Sequence, residues 1–324
     1  MATVSSIHSI SIQLGIHTDI IFLVCTYVQN GAFIVRRESV ELGRTGVPGI
    51  KAYMNIPIRR PMPKAVLGDI QMNFEVHGEG EPLVLITGLG GEISFWKKYV
   101  PILSKKHRVL ILDNRGAGDT EYPSTLFTMH TMADDIMNLL DHLKIERSHI
   151  LGWSMGGNVA QEIAINHPDR VGALVLMSTY ARRPGRSSFA IDTMIRSADE
   201  GASFDSLMEM MQSWCLPEDY FKRLALAKPA QRRANGNGKR ALEGFRGQKL
   251  ALDLFDSHER LSSIVSPTLV MHGEEDIMVA PHFAVELQKR IKGAELEWVP
   301  GAGHIIPANK CCSQVLRFLE RNPM

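Results

Sequence analysis

The chain has 324 residues, of which 44% are hydrophobic and 22% are charged, and its formal net charge is +1. These values are typical of a globular protein with one large domain or two ordinary ones. The small net charge excludes a strong overall electrostatic field, so nucleic acid is not expected as a partner. The spacing of the cysteines predicts neither a metal site nor a disulfide framework, which favours a reducing, cytoplasmic setting. The cysteines are Cys25, Cys215, Cys311 and Cys312.

Residues 1–53 are predicted to be an N-terminal extension of the main domain. The apolar run IIFLVCTYV at 20–28 is too short to cross a bilayer, and no lysine or arginine precedes it as in a secretory leader. No membrane association is therefore expected. The extension is interpreted as a targeting segment, as a strand or helix packed on the domain, or as translated sequence upstream of a start at Met54.

Short apolar runs alternate with amphipathic stretches from about residue 66. Strands are predicted at 83–88, 108–113, 149–154, 172–179, 267–273 and 295–301, and helices at 132–145, 156–167, 281–291 and 313–322. The strand segments are almost continuously apolar, as strands covered on both faces must be. The pattern predicts an α/β fold with a doubly wound, mostly parallel sheet. The alternating segment 67–80 is predicted to be an antiparallel edge strand.

The alternation stops between residues 182 and 260, where the chain becomes methionine-rich and then basic. This segment is interpreted as a helical cap inserted between two parts of the core, 54–181 and 261–324. It is expected to lie over the end of the sheet where active sites of open α/β folds gather. Its basic residues have few acidic residues nearby and are predicted to form a solvated helical face, with an anion-attracting rim as the alternative. They are Lys222, Arg223, Lys228, Arg232, Arg233, Lys239, Arg240, Arg246 and Lys249.

Ser154 lies between two glycines in the segment ILGWSMGGN at 150–158. Residues 152–156 fit the pattern G-x-S-x-G, in which a sharp strand-to-helix turn exposes a nucleophilic serine. Side chains at positions 152 and 156 would collide with the neighbouring strand and helix, so the turn requires glycine there. Ser154 is predicted to be a nucleophile, with a small residue in a tight turn as the alternative.

A nucleophilic serine needs a base to take its proton and an acid to orient that base. In this architecture the order along the chain is serine, acid, histidine. His304 is predicted to be the base and Asp276 the acid, because both follow strands and so lie at the same sheet edge as Ser154. His272 is interpreted as a strand-end residue. The other candidates for the acid are Glu274, Glu275, Asp253 and Asp256.

Charge that develops on a substrate oxygen needs hydrogen-bond donors, which together form an oxyanion hole. The backbone amide of Met155, directly after the nucleophile, is predicted to be one donor. The amide of Leu89, in the glycine-rich turn that follows the strand at 83–88, is predicted to be the other. No metal or organic cofactor is expected, because such a triad needs none.

With these residues assembled, the chain from 66 to 322 resembles an α/β-hydrolase-fold serine hydrolase, closest to the esterase and enol-lactonase branch. The segments LDNRGAGDT (112–120), INHPDRVGALVLMST (165–179) and SPTLVMHGEED (266–276) resemble segments of that superfamily. The family usually has histidine before glycine in the early loop, where this chain has Thr87 and Gly88. The hydroxyl of Thr87 is expected to hold the loop instead. Ser154 argues against epoxide hydrolases and dehalogenases, which carry aspartate at the nucleophile position.

The leading functional hypothesis is hydrolysis of a small carboxylic ester or lactone through an acyl-enzyme. The same residues could cleave a carbon-carbon bond in a β-diketone, or a thioester, and only the pocket would distinguish these reactions. A hypothesis of another class is a non-catalytic small-molecule receptor on the same fold. The expected partner is a small-molecule substrate, and a homodimer is left open.

Overall fold

The computed structural model describes residues 9–16, 19–28, 32–42, 48–50, 64–121, 125–225 and 238–324, with side chains from residue 64 onward except those of 223–240. The chain divides into two compact units, Met1–Met62 and Pro63–Met324. The first unit contains an antiparallel sheet in the order β1-β2-β3-β4. Its strands are β1 (Ser9–Ile16), β2 (Asp19–Val28), β3 (Ala32–Leu42) and β4 (Pro48–Ile50). The apolar run at 20–28 belongs to β2; the boundary after residue 53 stays a prediction.

The second unit is built on an eight-stranded sheet in the order β12-β11-β10-β9-β7-β8-β6-β5. Strands β7 to β12 pair in parallel, whereas β6 is antiparallel to both β8 and β5. Its strands are β5 (Lys64–Leu67), β6 (Ile70–His77), β7 (Glu81–Ile86), β8 (His107–Leu112), β9 (Ser148–Trp153), β10 (Val171–Met177), β11 (Thr268–Gly273) and β12 (Glu295–Val299). The predicted doubly wound α/β fold is confirmed.

Helices cover both faces of this sheet. Successive residues of a strand point to opposite faces, so strands that are apolar throughout need cover on both sides. On β7, Val84 and Ile86 belong to one buried cluster, and Leu83 and Leu85 belong to the other. Residues of α2, α3 and α8 complete the first cluster, and residues of α1 and α9 complete the second. These helices are α1 (Val100–Leu103), α2 (Met129–His142), α3 (Met155–Asn166), α8 (His282–Arg290) and α9 (Ala308–Arg321).

Two predicted elements differ from the structure. The alternating segment forms β6, which is not the edge strand, because the shorter β5 pairs with its outer side. The last helix begins at Ala308 rather than at residue 313, directly after Pro307. Its first turns carry the buried Cys311 and Cys312, which extend its apolar face toward its N-terminus.

Among the described residues, four α-helices lie between β10 and β11 in the region predicted to be a cap. They are α4 (Gly185–Asp199), α5 (Phe204–Cys215), α6 (Glu218–Ala225) and α7 (Gly238–Asp253). Helices α5 and α7 contact each other and carry buried side chains, among them Leu207 and Phe245. Within the described part of the chain, no helix combines the length and apolarity needed to cross a membrane.

Candidate active site

The turn between β9 and α3 holds Ser154 in a backbone conformation that is unusual for a residue with a side chain. Its φ is 55° and its ψ is −122°. A Cβ atom on Gly152 would lie 2.2 Å from the carbonyl oxygen of Gly156. One on Gly156 would lie 2.1 Å from the carbonyl oxygen of Ile86. Both glycines are therefore required by close backbone approach, and the partly exposed Ser154 side chain stands at the carboxyl edge of the sheet.

Ser154, His304 and Asp276 form a continuous hydrogen-bonded chain. The Oγ of Ser154 is 2.8 Å from Nε2 of His304, and Nδ1 of His304 is 2.8 Å from Oδ2 of Asp276. Because a carboxylate only accepts hydrogen bonds, Nδ1 of His304 donates to Asp276. This leaves Nε2 as an acceptor for the hydroxyl proton of Ser154. His304 and Asp276 are buried.

The second oxygen of Asp276 is held by the backbone that follows it. Its Oδ1 accepts hydrogen bonds from the amides of Met278 at 2.9 Å and Val279 at 2.8 Å. The buried His272 lies beside this carboxylate, with its Nε2 2.9 Å from the carbonyl oxygen of Val279. Burial lowers the pKa of His272, so a neutral imidazole packs next to Asp276.

The other acids considered from the sequence lie elsewhere. Glu274 and Glu275 are exposed on the same loop. Asp253 pairs with Lys249 and Arg183, and Asp256 pairs with Arg182 at 2.9 Å. Asp276 is the acid that the structure brings to His304.

The loop after β7 lies directly against the serine. A Cβ atom on Gly88 would lie 3.0 Å from Cβ of Ser154. The hydroxyl of Thr87 donates to the carbonyl oxygen of Gly91 at 3.1 Å, which spans the loop as expected. The side-chain amide of Asn114 donates to the carbonyl oxygen of Thr87 at 3.0 Å. The loop is thus fixed by hydrogen bonds without the histidine that the family usually has.

Leu89 and Met155, which are predicted to form the oxyanion hole, lie on the two segments that flank Ser154. Leu89 lies between Gly88, which approaches Ser154, and Gly90, and its side chain packs on the core. Met155 is the first residue of α3, so its amide points out of the helix N-terminus beside Ser154. The helix dipole adds partial positive charge at this point.

Several residues that hold this site were not predicted from the sequence. Trp153 donates its indole N–H to the carbonyl oxygen of His304 at 2.9 Å. Thr179 donates its hydroxyl proton to the backbone carbonyl oxygen of Ser154 at 2.8 Å. Gln248, on α7, accepts a hydrogen bond from the amide of Gly90 at 2.8 Å. Trp153 carried a signal, because it lies within the serine motif. Gln248 carried none, because its partner is 158 residues away along the chain.

The basic stretch of the cap is better neutralised than the sequence suggested. Lys249 lies 2.5 Å from Asp192 and 2.6 Å from Asp253. Arg246 and Lys222 also pair with aspartates, at 2.5 Å and 3.5 Å. The expectation of few acidic neighbours is wrong for these three residues, because α4 and the turns of α6 and α7 supply the acids. The other six basic residues lie outside the described side chains.

Comparisons with known proteins agree with this architecture. The family described as the alpha/beta hydrolase fold matches residues 81–310. A protein of Caulobacter sp. (strain K31), which carries the provisional name carbamate hydrolase RutD, is 30% identical over 237 residues, covering 71% of this chain and 87% of its own. A protein of Rhizobium rhizogenes with the same name is 28% identical, covering 77% of this chain and 98% of its own.

Among solved structures, the enol-lactonase from Burkholderia xenovorans LB400 is similar, with a TM-score of 0.69 and 27% identity over 80% of this chain and 100% of its own. The meta-cleavage product hydrolase of Pseudomonas fluorescens IP01 has a TM-score of 0.62 and 25% identity over 81% of this chain and 98% of its own. The family match covers most of the chain. The protein belongs to the α/β-hydrolase fold family and is a hydrolase of that type.

Proposed function

We propose that the protein is a serine hydrolase that cleaves a small carboxylic ester or lactone through an acyl-enzyme. The observation that carries this proposal is the chain of two 2.8 Å hydrogen bonds from Ser154 through His304 to Asp276. A hydroxyl with a base and an orienting acid in this order has the geometry of an activated nucleophile.

In the first half of the reaction, Oγ of Ser154 attacks the substrate carbonyl carbon while Nε2 of His304 takes the hydroxyl proton. The imidazolium that forms is stabilised by Asp276, whose carboxylate is already fixed by two backbone amides. His304 then gives its proton to the leaving alcohol oxygen, and the acyl group stays on Ser154. In the second half, water attacks this ester with His304 again as the base, and Ser154 leaves with its proton restored.

The tetrahedral intermediates carry negative charge on the former carbonyl oxygen. The amides of Met155 and Leu89 are proposed to donate to it, the first from the start of α3 and the second from the loop after β7. The fixed loop supports this assignment, because donors that are already oriented need no reorganisation when the charge develops. Thr87 and Asn114 provide that support from one side, and Gln248 provides it from the other.

The named relatives bear on the choice of substrate. An enol-lactonase among the similar structures supports the lactone hypothesis. The name of the Caulobacter relative makes a carbamate the second candidate, since its carbonyl carbon can be attacked by the same serine. Phe245 and Met208 lie beside Gly90, which supports a compact apolar acyl group. A cytoplasmic location and the absence of nucleic-acid partners stay predictions.

The proposal is tested by replacing the nucleophile. Ser154→Ala should lower kcat/KM for short-chain nitrophenyl esters by about a thousandfold or more, because the attacking group is lost. The matched control is Ser262→Ala, an exposed serine away from the site, which should keep full activity. Near-native turnover by Ser154→Ala would make Ser154 a turn residue and exclude the acyl-enzyme mechanism.

The substrate is tested by comparing kcat/KM for a small ester, a lactone and a carbamate of similar size. We expect the ester and lactone to be cleaved faster than the carbamate, whose carbonyl is less electrophilic. Faster turnover of the carbamate would favour the second candidate. Turnover of none of them by a folded protein would favour the small-molecule receptor.

A further inference from the structure

Three potential metal ligands lie at the amino ends of neighbouring strands, at the sheet edge opposite Ser154. Glu81 begins β7, His107 begins β8, and His149 is the second residue of β9. Glu81 pairs directly with His107 across β7 and β8, and His149 pairs with Leu83. Because Glu81 and Leu83 are two residues apart on one strand, all three ligand side chains project from the same face of the sheet.

Within the described part of the chain, three of the four ring nitrogens of these two histidines lack a hydrogen bond, and the fourth, Nε2 of His149, has Glu81 as its partner. His149 is fully buried and His107 is 5% exposed. Among the described residues, neither ring nitrogen of His107 has a hydrogen-bond partner of normal geometry, and neither does Nδ1 of His149. Buried polar atoms in native proteins are nearly always paired, so the unpaired ring of His107, beside Glu81 and His149, indicates a missing ligand.

The donor atoms are already close to one another. One donor atom from each of Glu81, His107 and His149 lies within 4.8 Å of the others, and Nε2 of His149 is 3.2 Å from Oε2 of Glu81. A tetrahedral zinc ion, with bonds of about 2.0–2.2 Å, places its donors about 3.4 Å apart. Small side-chain rotations would therefore bring His107 to the required distance.

The surroundings of the cluster also fit a built site. The backbone amide of Met324 donates to Oε1 of Glu81 at 2.9 Å, which leaves Oε2 facing His149. A Cβ atom on Gly172 would lie 2.5 Å from Cγ of Met324 and 3.0 Å from Nδ1 of His149, so glycine lets the Met324 side chain pack beside this histidine. The side chain of Glu81 is 36% exposed and provides a route from solvent.

We propose that Glu81, His107 and His149 form a binding site for a divalent transition-metal ion such as Zn²⁺. Two imidazoles and one carboxylate are a common donor set for zinc and leave a fourth position for water. Mg²⁺ and Ca²⁺ prefer sites made of oxygen atoms and should bind poorly. A bound ion would join the amino ends of β7, β8 and β9, whereas the proposed chemistry takes place at their carboxyl ends.

Two cations near the cluster are engaged elsewhere, since Lys106 pairs with Glu320 and Arg147 donates to the carbonyl oxygen of Val171.

The test is calorimetric titration of the full-length protein with zinc sulfate after treatment with a chelator. We expect one equivalent of Zn²⁺ to bind and to raise the Tm, with no comparable effect of Mg²⁺. The variant Glu81→Gln, which keeps the size of the side chain and removes its charge, should weaken zinc binding by at least tenfold. Absence of zinc binding to the wild-type protein, or equal binding of Mg²⁺, would contradict the proposal.

The matched control is Glu75→Gln, because Glu75 and His77 form another histidine-carboxylate pair, 2.6 Å apart, on β6. It should bind Zn²⁺ as the wild type does. His304→Ala should also retain the site, which separates it from zinc bound at the catalytic histidine. Loss of binding in either control, or unchanged binding in a folded Glu81→Gln, would overturn the assignment. His107→Gln, with its fold checked by thermal unfolding, gives a second ligand variant that should weaken binding in the same way.

Discussion

Asp276 uses its two carboxylate oxygens for different purposes. Oδ1 is bound by the amides of Met278 and Val279, and Oδ2 is left to accept the hydrogen bond from His304. The loop backbone therefore fixes the carboxylate before any substrate arrives. This arrangement holds the imidazole of His304 with its Nε2 toward Ser154, at a distance of 2.8 Å.

This arrangement predicts that Asp276→Asn lowers kcat by about a thousandfold or more, because an asparagine amide can hold His304 in the wrong tautomer. The measurement is steady-state hydrolysis of a nitrophenyl ester, with thermal unfolding as a check on the fold.

The matched control for Asp276→Asn is Glu275→Gln, on the same loop. Its exposed side chain does not reach His304, so its kcat should stay near that of the wild type. An equal loss in both variants would show that the loop, rather than the carboxylate of Asp276, is being disturbed.

At this scale the sequence predicted which residues meet, because their chain order and strand-end positions restrict them to one sheet edge. Ser154, Asp276 and His304 each follow a strand of the parallel sheet. It could not predict the contacts that orient them. The indole of Trp153 reaches His304, 151 residues away, and such a distant pair leaves no local pattern.

Helix α7, in the segment predicted to be a cap, connects two loops of the core. The side-chain amide of Gln248 accepts a hydrogen bond from the amide of Gly90 and donates one to the carbonyl oxygen of Arg115, both at 2.8 Å. Phe245, on the same helix as Gln248, lies against Gly90. Helix α7 therefore contributes contacts to the loop that carries Leu89.

We predict that Gln248→Leu lowers kcat by about tenfold or more, because Gly90 loses its partner and the proposed oxyanion donor at Leu89 is less well positioned. KM should change less than kcat, since the buried side chain of Gln248 bonds the backbone of the loop. The measurement is full Michaelis kinetics on the same ester.

The matched control is Gln212→Leu, at an exposed position of α5, for which neither constant should change much. If Gln248→Leu raised KM alone, α7 would shape the substrate pocket rather than the oxyanion loop.

At the scale of elements, the alternation of strands and helices was predictable because both faces of a parallel sheet must be covered. The break in that alternation marks the segment in which the described helices α4 to α7 lie, between β10 and β11. The ion pair between Lys249 on α7 and Asp192 on α4 was not predictable, because packing of helices that are distant along the chain decides such contacts. The pairs of Lys249 with Asp253 and of Lys222 with Asp219 lie within single helices, at a spacing that the sequence does show. The edge strand β5 was missed since four residues carry too little alternation.

On the scale of the whole molecule, the unit Pro63–Met324 contains both edges of the large sheet and every residue proposed here to act in catalysis or to bind metal. Ser154, Asp276 and His304 lie at the carboxyl edge, and Glu81, His107 and His149 lie at the amino edge. The strands β7 and β9 run from one group to the other. Separate variants at the two edges should therefore have separable effects on catalysis and on zinc binding.

The enol-lactonase aligns over 100% of its length with 80% of this chain. The fold of that enzyme is therefore complete without counterparts of the remaining segments of this chain. We therefore predict that a protein of residues 54–324 folds and keeps its activity. Its kcat/KM should stay within about twofold of the full-length value, since a domain with its own core can fold alone. Its Tm should stay within about 4 °C, the shift that about 1 kcal/mol produces in a protein of this size.

Ester hydrolysis and thermal unfolding of both proteins, purified in parallel, provide the measurement. Insolubility of the shorter protein, or loss of its thermal transition, would show that residues 1–53 complete the core of the catalytic unit.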